Sequence, residues 1–187
     1  MAVAREPEPI SIPVIELTRM RRRHLRKVLS IEGRVYPRPW SASLFLAELS
    51  QRNTRSYLVA KAGGQVVGYA GMMLTGSESH VTNIAVDPDW HSHKIGTRLL
   101  LALVTEAIAH GARTISLEVR VTNKVARSMY EKFGFSVADV RKGYYIETNE
   151  DAYVMVAENV DSTEYRLRLQ SLREEIDRLL RGEEQDV

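Results

Sequence analysis

A strand, a helix and a second strand in the middle of the chain do most to limit what it can fold into. The β-branched run "HVTNIAV" (His80–Val86) leads through a turn into residues 94–109, where apolar residues recur with helical period. Gly111 closes that helix, and "TISLEVR" (Thr114–Arg120) follows as a strand. Two strands joined by such a helix lie parallel, through a right-handed crossover. Their neighbours point instead to antiparallel pairing. "SYLVAK" and "QVVGYAGMML" flank Gly63-Gly64, a two-residue hairpin turn, and "TGSES" separates the second run from "HVTNIAV". The pattern predicts one earlier strand in "IPVIELTRM" (Ile12–Met20) and two later ones, near Phe135–Arg141 and Ala152–Glu158.

Helices are expected at three further places within this frame. From Arg22 to about Gly33, Leu25, Val28, Leu29 and Glu32 keep a helical period, which "YPRPWS" ends because each proline removes a donor. Ser41 caps a second helix with Leu44, Phe45 and Leu49 inward, and Trp40 buried in the turn before it. Asn123 caps a third, with Val125, Ala126, Met129, Tyr130 and Phe133 on its apolar face and Gly134 at its end. The order β α α β β β α β α β β carries no repeat. It reads as an α/β (α+β) protein with a mixed, mostly antiparallel sheet. Beyond Glu158, Tyr165, Leu169, Leu172, Ile176 and Leu179 recur at spacings of four and three, a seam of about two heptads. That helix is expected to dock on its own domain, with a dimer through it as the alternative. The expected division is a flexible lead over 1–11, one domain over 12–158 and a helical extension over 159–187.

Apolar residues make up 44% of the chain, enough for a sizeable core, and there is no cysteine. Disulfides, thiolate zinc sites and cysteine nucleophiles are therefore excluded. No apolar run approaches the roughly 18 residues that span a bilayer, and "MAVAREPEPI" lacks the core of a signal peptide. A soluble cytoplasmic protein with no membrane partner is the expectation. The net charge of +2 combines a basic first forty residues with an acidic stretch from Glu158 onward.

The turn "VDPDWHSHKIGTRLL" (Val86–Leu100) places Asp87, Asp89, His91 and His93 close together, as a metal site would. Such a site needs three or four convergent ligands, and Asp87-Pro88 reads better as a turn opener, so no metal is expected. The same turn opens a helix whose unpaired N–H groups and positive dipole end suit an anion. Gly96 permits close approach, and Thr97 and Arg98 add a hydroxyl and a cation.

"NIAVDPDW", "LEVRVTNKVARSMYEKFGF" and "RKGYYIETNEDAYVM" follow one another in that order. With these motifs the chain from about Pro13 to Glu158 resembles a GCN5-related N-acetyltransferase (GNAT), most closely the RimI type, which acetylates the N-terminal alanine of a small-subunit ribosomal protein. The resemblance implies a sheet splayed between strands 4 and 5, with acetyl-CoA in the splay. Its pantetheine arm would run along Ile84, Ala85 and Val86, and its pyrophosphate would sit on His91, Ser92, His93, Lys94, Ile95, Gly96 and Thr97. This stretch departs from the family pattern [QR]-x-x-G-x-[GA] at His91 and at Lys94, keeping only Gly96. Lys94 is expected at the first helical position with negative φ, where its ammonium replaces by charge what the missing glycine gives by shape.

The resemblance also implies Glu118 as general base through water, Tyr130 as the acid that protonates the CoA thiolate, and Asn123 as a contact to the CoA arm. Tyr36 and Pro37 would surround the first residue of a peptide, and Tyr144 and Tyr145 would hydrogen-bond its backbone. Read bare, Glu118 is a surface partner for Arg120 or a lysine, and Tyr130 a core aromatic with its hydroxyl at the rim. Glu147, Glu150 and Asp151 are candidates for recognising a basic peptide. An α-amine with a pKa near 8 is about a tenth neutral at pH 7, whereas a lysine amine near 10.4 is almost wholly charged, so a modest base suits an N-terminus. The expected partner is a protein or peptide N-terminus, a ribosomal protein above all, with no nucleic acid as substrate. The alternatives are a GNAT acting on lysine or a small amine, and an RNA- or ribosome-associated binding module using "RMRRRHLRK" (19–27).

Overall fold

The computed structural model describes residues 14–181, so the expected lead over 1–11 lies outside the described residues. Seven strands form one sheet in the order β1-β2-β3-β4-β5-β7-β6: β1 (Ile15–Arg19), β2 (Arg55–Ala62), β3 (Gln65–Thr75), β4 (Glu78–Val86), β5 (Thr114–Arg120), β6 (Ser136–Tyr145) and β7 (Glu150–Glu158). Five helices accompany it: α1 (Leu25–Val35), α2 (Ala42–Ser50), α3 (Ile95–Ala109), α4 (Lys124–Lys132) and α5 (Thr163–Leu180). β6 and β7 run further into "GYYIETNED" than the sequence pattern implies.

All pairings are antiparallel except β4 with β5. That parallel pairing covers only Glu78–Val81 against Thr114–Leu117. Beyond it the strands part, and residues 83–86 and 118–120 pair only with their outer neighbours, β3 and β7. The register of β3 against β4 shifts between Gly71 and Met72, leaving Thr82 unmatched at the point where the splay opens.

The apolar faces explain the layers. Leu99, Leu100, Leu103 and Val104 of α3 are buried against Val67, Met72, Ile115 and Leu117 on one face of the sheet. On the other face Val28 and Ile31 of α1 and Phe45 of α2 cover Tyr57, Val59 and Tyr69. Gly71 is required there: a Cβ would stand 2.1 Å from the Tyr57 ring. Glu32, 2% exposed, survives burial because its carboxylate accepts from the Tyr69 hydroxyl and, at 2.9 Å, from the Trp40 N–H. α5 joins the α3 face, burying Tyr165, Leu169, Leu172 and Ile176, and the Tyr165 hydroxyl donates to the Phe133 carbonyl at 2.7 Å. Four of the five seam residues thus pack on the chain's own domain.

Four expected inward residues behave otherwise. Leu44 is 40% exposed because α2 is only nine residues long and turns mainly Phe45 inward. Trp40 is half-buried, tilted against Phe45 rather than enclosed. Val125 is 85% exposed and Leu179, at the end of the α5 seam, is 41% exposed. The basic stretch 19–27 is partly structural, since Met20, His24 and Leu25 are buried and Arg19 pairs with Glu106 at 2.6 Å. No helix among the described residues is long and apolar enough to cross a membrane.

Candidate active site

The turn after β4 resolves its crowded chemistry by pointing its charges in different directions. Asp87, 3% exposed, and Asp89 are both claimed by Arg34 of α1, with Lys27 3.6 Å from Asp87. Asp87 also accepts from the Asp89 N–H at 3.2 Å, which sets the short helical turn over Pro88–Trp90. His91 bonds the Val86 carbonyl (3.2 Å) and His93 the His91 carbonyl (2.8 Å). Among the described residues no three His, Asp or Glu converge as metal ligands would.

Ser92 and Lys94 both have positive φ, +69° and +55°. The expected negative φ at Lys94 is therefore wrong. Lys94 is the N-cap of α3 in the left-handed region, and the helix begins one residue later at Ile95. Ile95, Gly96 and Thr97, which follow these left-handed residues, form the first turn of α3, where N–H groups lack intrahelical partners. The family's glycine position is thus filled here by a residue that must hold a glycine-like conformation.

A cavity of about 940 Å³ lies in front of this turn. Of the residues expected to hold acetyl-CoA, all line it except His93 and Tyr130. His93 packs on Trp90 at 5.6 Å between ring centroids. Tyr130 is 8% exposed behind the cavity wall, tilted on Phe135, and its hydroxyl has no hydrogen-bond partner among the described residues. Asn123 caps α4, accepting from the Ala126 N–H at 3.1 Å. Where β4 has left β5, two of its carbonyls are met by side chains: Ile84 by the Tyr36 hydroxyl at 2.9 Å and Val86 by His91. An open strand edge, the first turn of α3 and three lysines (Lys94, Lys124 and Lys132) suit a long ligand bearing phosphates.

Glu118 stands where the splay opens, on the face of β5 opposite the buried Leu117 and Val119. Arg120 is not its partner. Glu118 Oε2 lies 3.0 Å from His80 Nε2 and Oε1 lies 2.7 Å from Arg141. His80 in turn bonds the Ser116 hydroxyl through Nδ1 at 2.9 Å. The His80 hydrogen bond, against the opposing effect of burial, holds the Glu118 carboxyl below its ordinary range. Arg120 instead binds Glu147 at 2.7 Å and Glu150 at 3.0 Å, and its guanidinium lies 3.8 Å over the Tyr145 ring. Lys142 takes Asp151 at 2.7 Å. All three acidic candidates for peptide recognition are therefore engaged in bracing the β6–β7 hairpin.

Three tyrosines surround the opening. Burial raises the hydroxyl pKa of Tyr36, Tyr130 and Tyr145, the last to about 12; Tyr36 also feels Tyr130 and Tyr145, Tyr130 feels Tyr145, and Tyr145 feels Glu118. Tyr144 is 44% exposed beside Tyr145, and Pro37 is exposed at the end of α1. His80 and Arg141 were not anticipated from the sequence. The signal for His80 lay in the pairing: β4 and β5 in parallel register put it opposite Ser116, two residues from Glu118 on the same face.

Comparison with known proteins agrees with this geometry. Residues 25–135 match the acetyltransferase (GNAT) family. The chain is 35% identical over 127 residues to the [ribosomal protein bS18]-alanine N-acetyltransferase of Escherichia coli, covering 67% of this chain and 84% of that one. It is 36% identical over 127 residues to the N-alpha-acetyltransferase RimI of Mycobacterium tuberculosis, covering 66% and 78%. The crystal structure of the Escherichia coli ribosomal-protein-S18-alanine N-acetyltransferase superposes with a TM-score of 0.72 at 30% identity, over 78% of this chain and 94% of that one. The chain belongs to the GNAT acetyltransferase family and, within it, to the RimI type.

Proposed function

We propose that the protein acetylates the α-amine of a protein N-terminus from acetyl-CoA, with the N-terminal alanine of ribosomal protein bS18 as the substrate its relatives' names indicate. The observation that carries this reading is the position of Glu118. It stands at the opening of the β4–β5 splay, where Tyr145 feels its charge, and the phosphate-suited cavity runs along the Ile84–Val86 edge of the same splay. Residues 12–158 form the catalytic unit in this reading and 159–187 an extension of it.

Acetyl-CoA supplies a thioester carbonyl, whose C–S bond breaks as the C–N bond to the amine forms. Ile84, Ala85 and Val86 hold the arm along the open edge of β4, and the turn from His91 to Thr97 holds the diphosphate, with Lys94 contributing charge. Tyr36 and Pro37 bound the first residue of the peptide, while Tyr144 and Tyr145 hold its backbone. Glu118 takes the proton released by the amine, through water. Its depressed pKa makes it a weak base, which is adequate for an α-amine because a fraction of about a tenth is already neutral at pH 7. Arg141, half-exposed on an edge strand, is the partner that yields Oε1, while His80 keeps Oε2 in place. Tyr130 gives its proton to the departing sulfur, and its raised pKa keeps that proton available at neutral pH.

A panel of peptides differing only in the first residue, with internal lysines blocked, tests this function. Preference for a free N-terminal alanine supports it. Activity confined to lysine or to free polyamines overturns it.

A further inference from the structure

α5 lies outside the stretch matched by the family, yet it contributes Leu172, Glu175, Ile176 and Leu179 to the wall of the same cavity that α3 and α4 line. Both apolar side chains that defied the expected burial there, Val125 of α4 (85% exposed) and Leu179 of α5 (41% exposed), line this cavity. Trp90 and Met129 add to the apolar lining, while Lys124 and Lys132 bring positive charge. Lys132 is held 3.2 Å from Glu175 of α5. The cavity therefore combines the Ile84–Val86 edge and the α3 N-terminus with a more exposed apolar slot carrying lysines.

We propose that α5 completes a seat for the adenosine 3′-phosphate end of CoA, with Val125 and Leu179 flanking the purine and Lys132 facing the 3′-phosphate. The proposal rests on the acetyl-CoA reading above. With the thioester at Glu118 and the diphosphate at the α3 turn, the remaining part of the ligand is a flat, largely apolar purine and a dianionic phosphate. Flanking apolar side chains suit the first and an ammonium the second. Glu175 tempers that ammonium: its carboxylate competes with the phosphate for Lys132, so removing its charge leaves a more positive slot.

Calorimetric titration of the intact protein with CoA, dephospho-CoA and 4′-phosphopantetheine tests this. Leu179→Ser should weaken CoA and dephospho-CoA roughly tenfold while leaving 4′-phosphopantetheine within about twofold. Glu175→Gln should tighten CoA several-fold at low salt, an effect that shrinks as salt is added, and leave dephospho-CoA nearly unchanged. Because that variant gains affinity, misfolding cannot mimic it. Equal losses for all three ligands in Leu179→Ser, or unchanged CoA affinity in both variants, overturn the proposal. So does a shift in sedimentation from dimer to monomer with CoA binding intact, which would make the slot a self-association surface. If the unaltered protein binds no CoA, the acetyl-CoA reading itself fails, a different result from wild-type binding with insensitive variants.

Discussion

Lys94→Gly should move stability and ligand affinity in opposite directions. Lys94 occupies φ +55°, ψ +18°, a conformation that costs a residue with a Cβ about 1–2 kcal/mol. Glycine relieves that cost but adds freedom to the unfolded chain, worth about 0.4–1 kcal/mol in the other direction. The net gain is between about 0 and 1.6 kcal/mol, and for a chain of this size each 1 kcal/mol raises Tm by roughly 2–4 °C. The ammonium also lines the cavity beside the turn proposed to take the diphosphate. Through partly solvated surroundings its loss should weaken CoA about fivefold and flatten the dependence of affinity on salt. Scanning calorimetry and titration at two salt concentrations check both halves. Tighter CoA binding with an unchanged salt dependence would refute charge compensation, and a lower Tm would refute the strain argument.

Other changes have equally definite outcomes. Glu118→Gln should lower kcat by about 10²-fold or more with CoA affinity unchanged, as single-turnover kinetics and titration would show. His80→Gln keeps a donor to Glu118, so its kcat loss should be smaller than that of His80→Ala; equal losses would mean that His80 does not position the carboxylate. Glu32 carries a pKa raised chiefly by burial, so the stability it contributes is full below its unfolded value and is lost as pH rises through its folded one. Glu32→Gln should accordingly gain on the wild type in urea denaturation as pH rises above the unfolded carboxyl value, and a constant difference would contradict this. Gly71→Ala places a Cβ 2.1 Å from the Tyr57 ring and should cost about 1–3 kcal/mol by the same measurement.

The fold was readable because its signals were local and repeated. Gly63-Gly64 marks a hairpin with both residues at positive φ, Asn123 and Ser41 cap the helices they were expected to cap, and the strand–helix–strand unit dictated one parallel pair. What escaped depended on contacts between distant segments. Lys94 looked like a first helical residue, and its left-handed conformation belongs to a turn in which Ser92 is left-handed as well. Glu118 stood out as a charge in an apolar strand, but its partners arrive from β4 and from edge strand β6, 38 residues before it and 23 after. The acidic run at 147–151 looked free to meet a peptide, yet Arg120 and Lys142 already bind it. Val125 and Leu179 followed the apolar period faithfully, and only the assembled α4 and α5 show that they face a cavity rather than the core.

The most direct test of the central claim uses one peptide that begins with alanine and also carries a free lysine, incubated with acetyl-CoA. Fragmentation mass spectrometry then locates the acetyl group. Acetylation of the α-nitrogen alone, lost in Glu118→Gln, is the predicted result. An acetyl group on the lysine with the N-terminus untouched would contradict it.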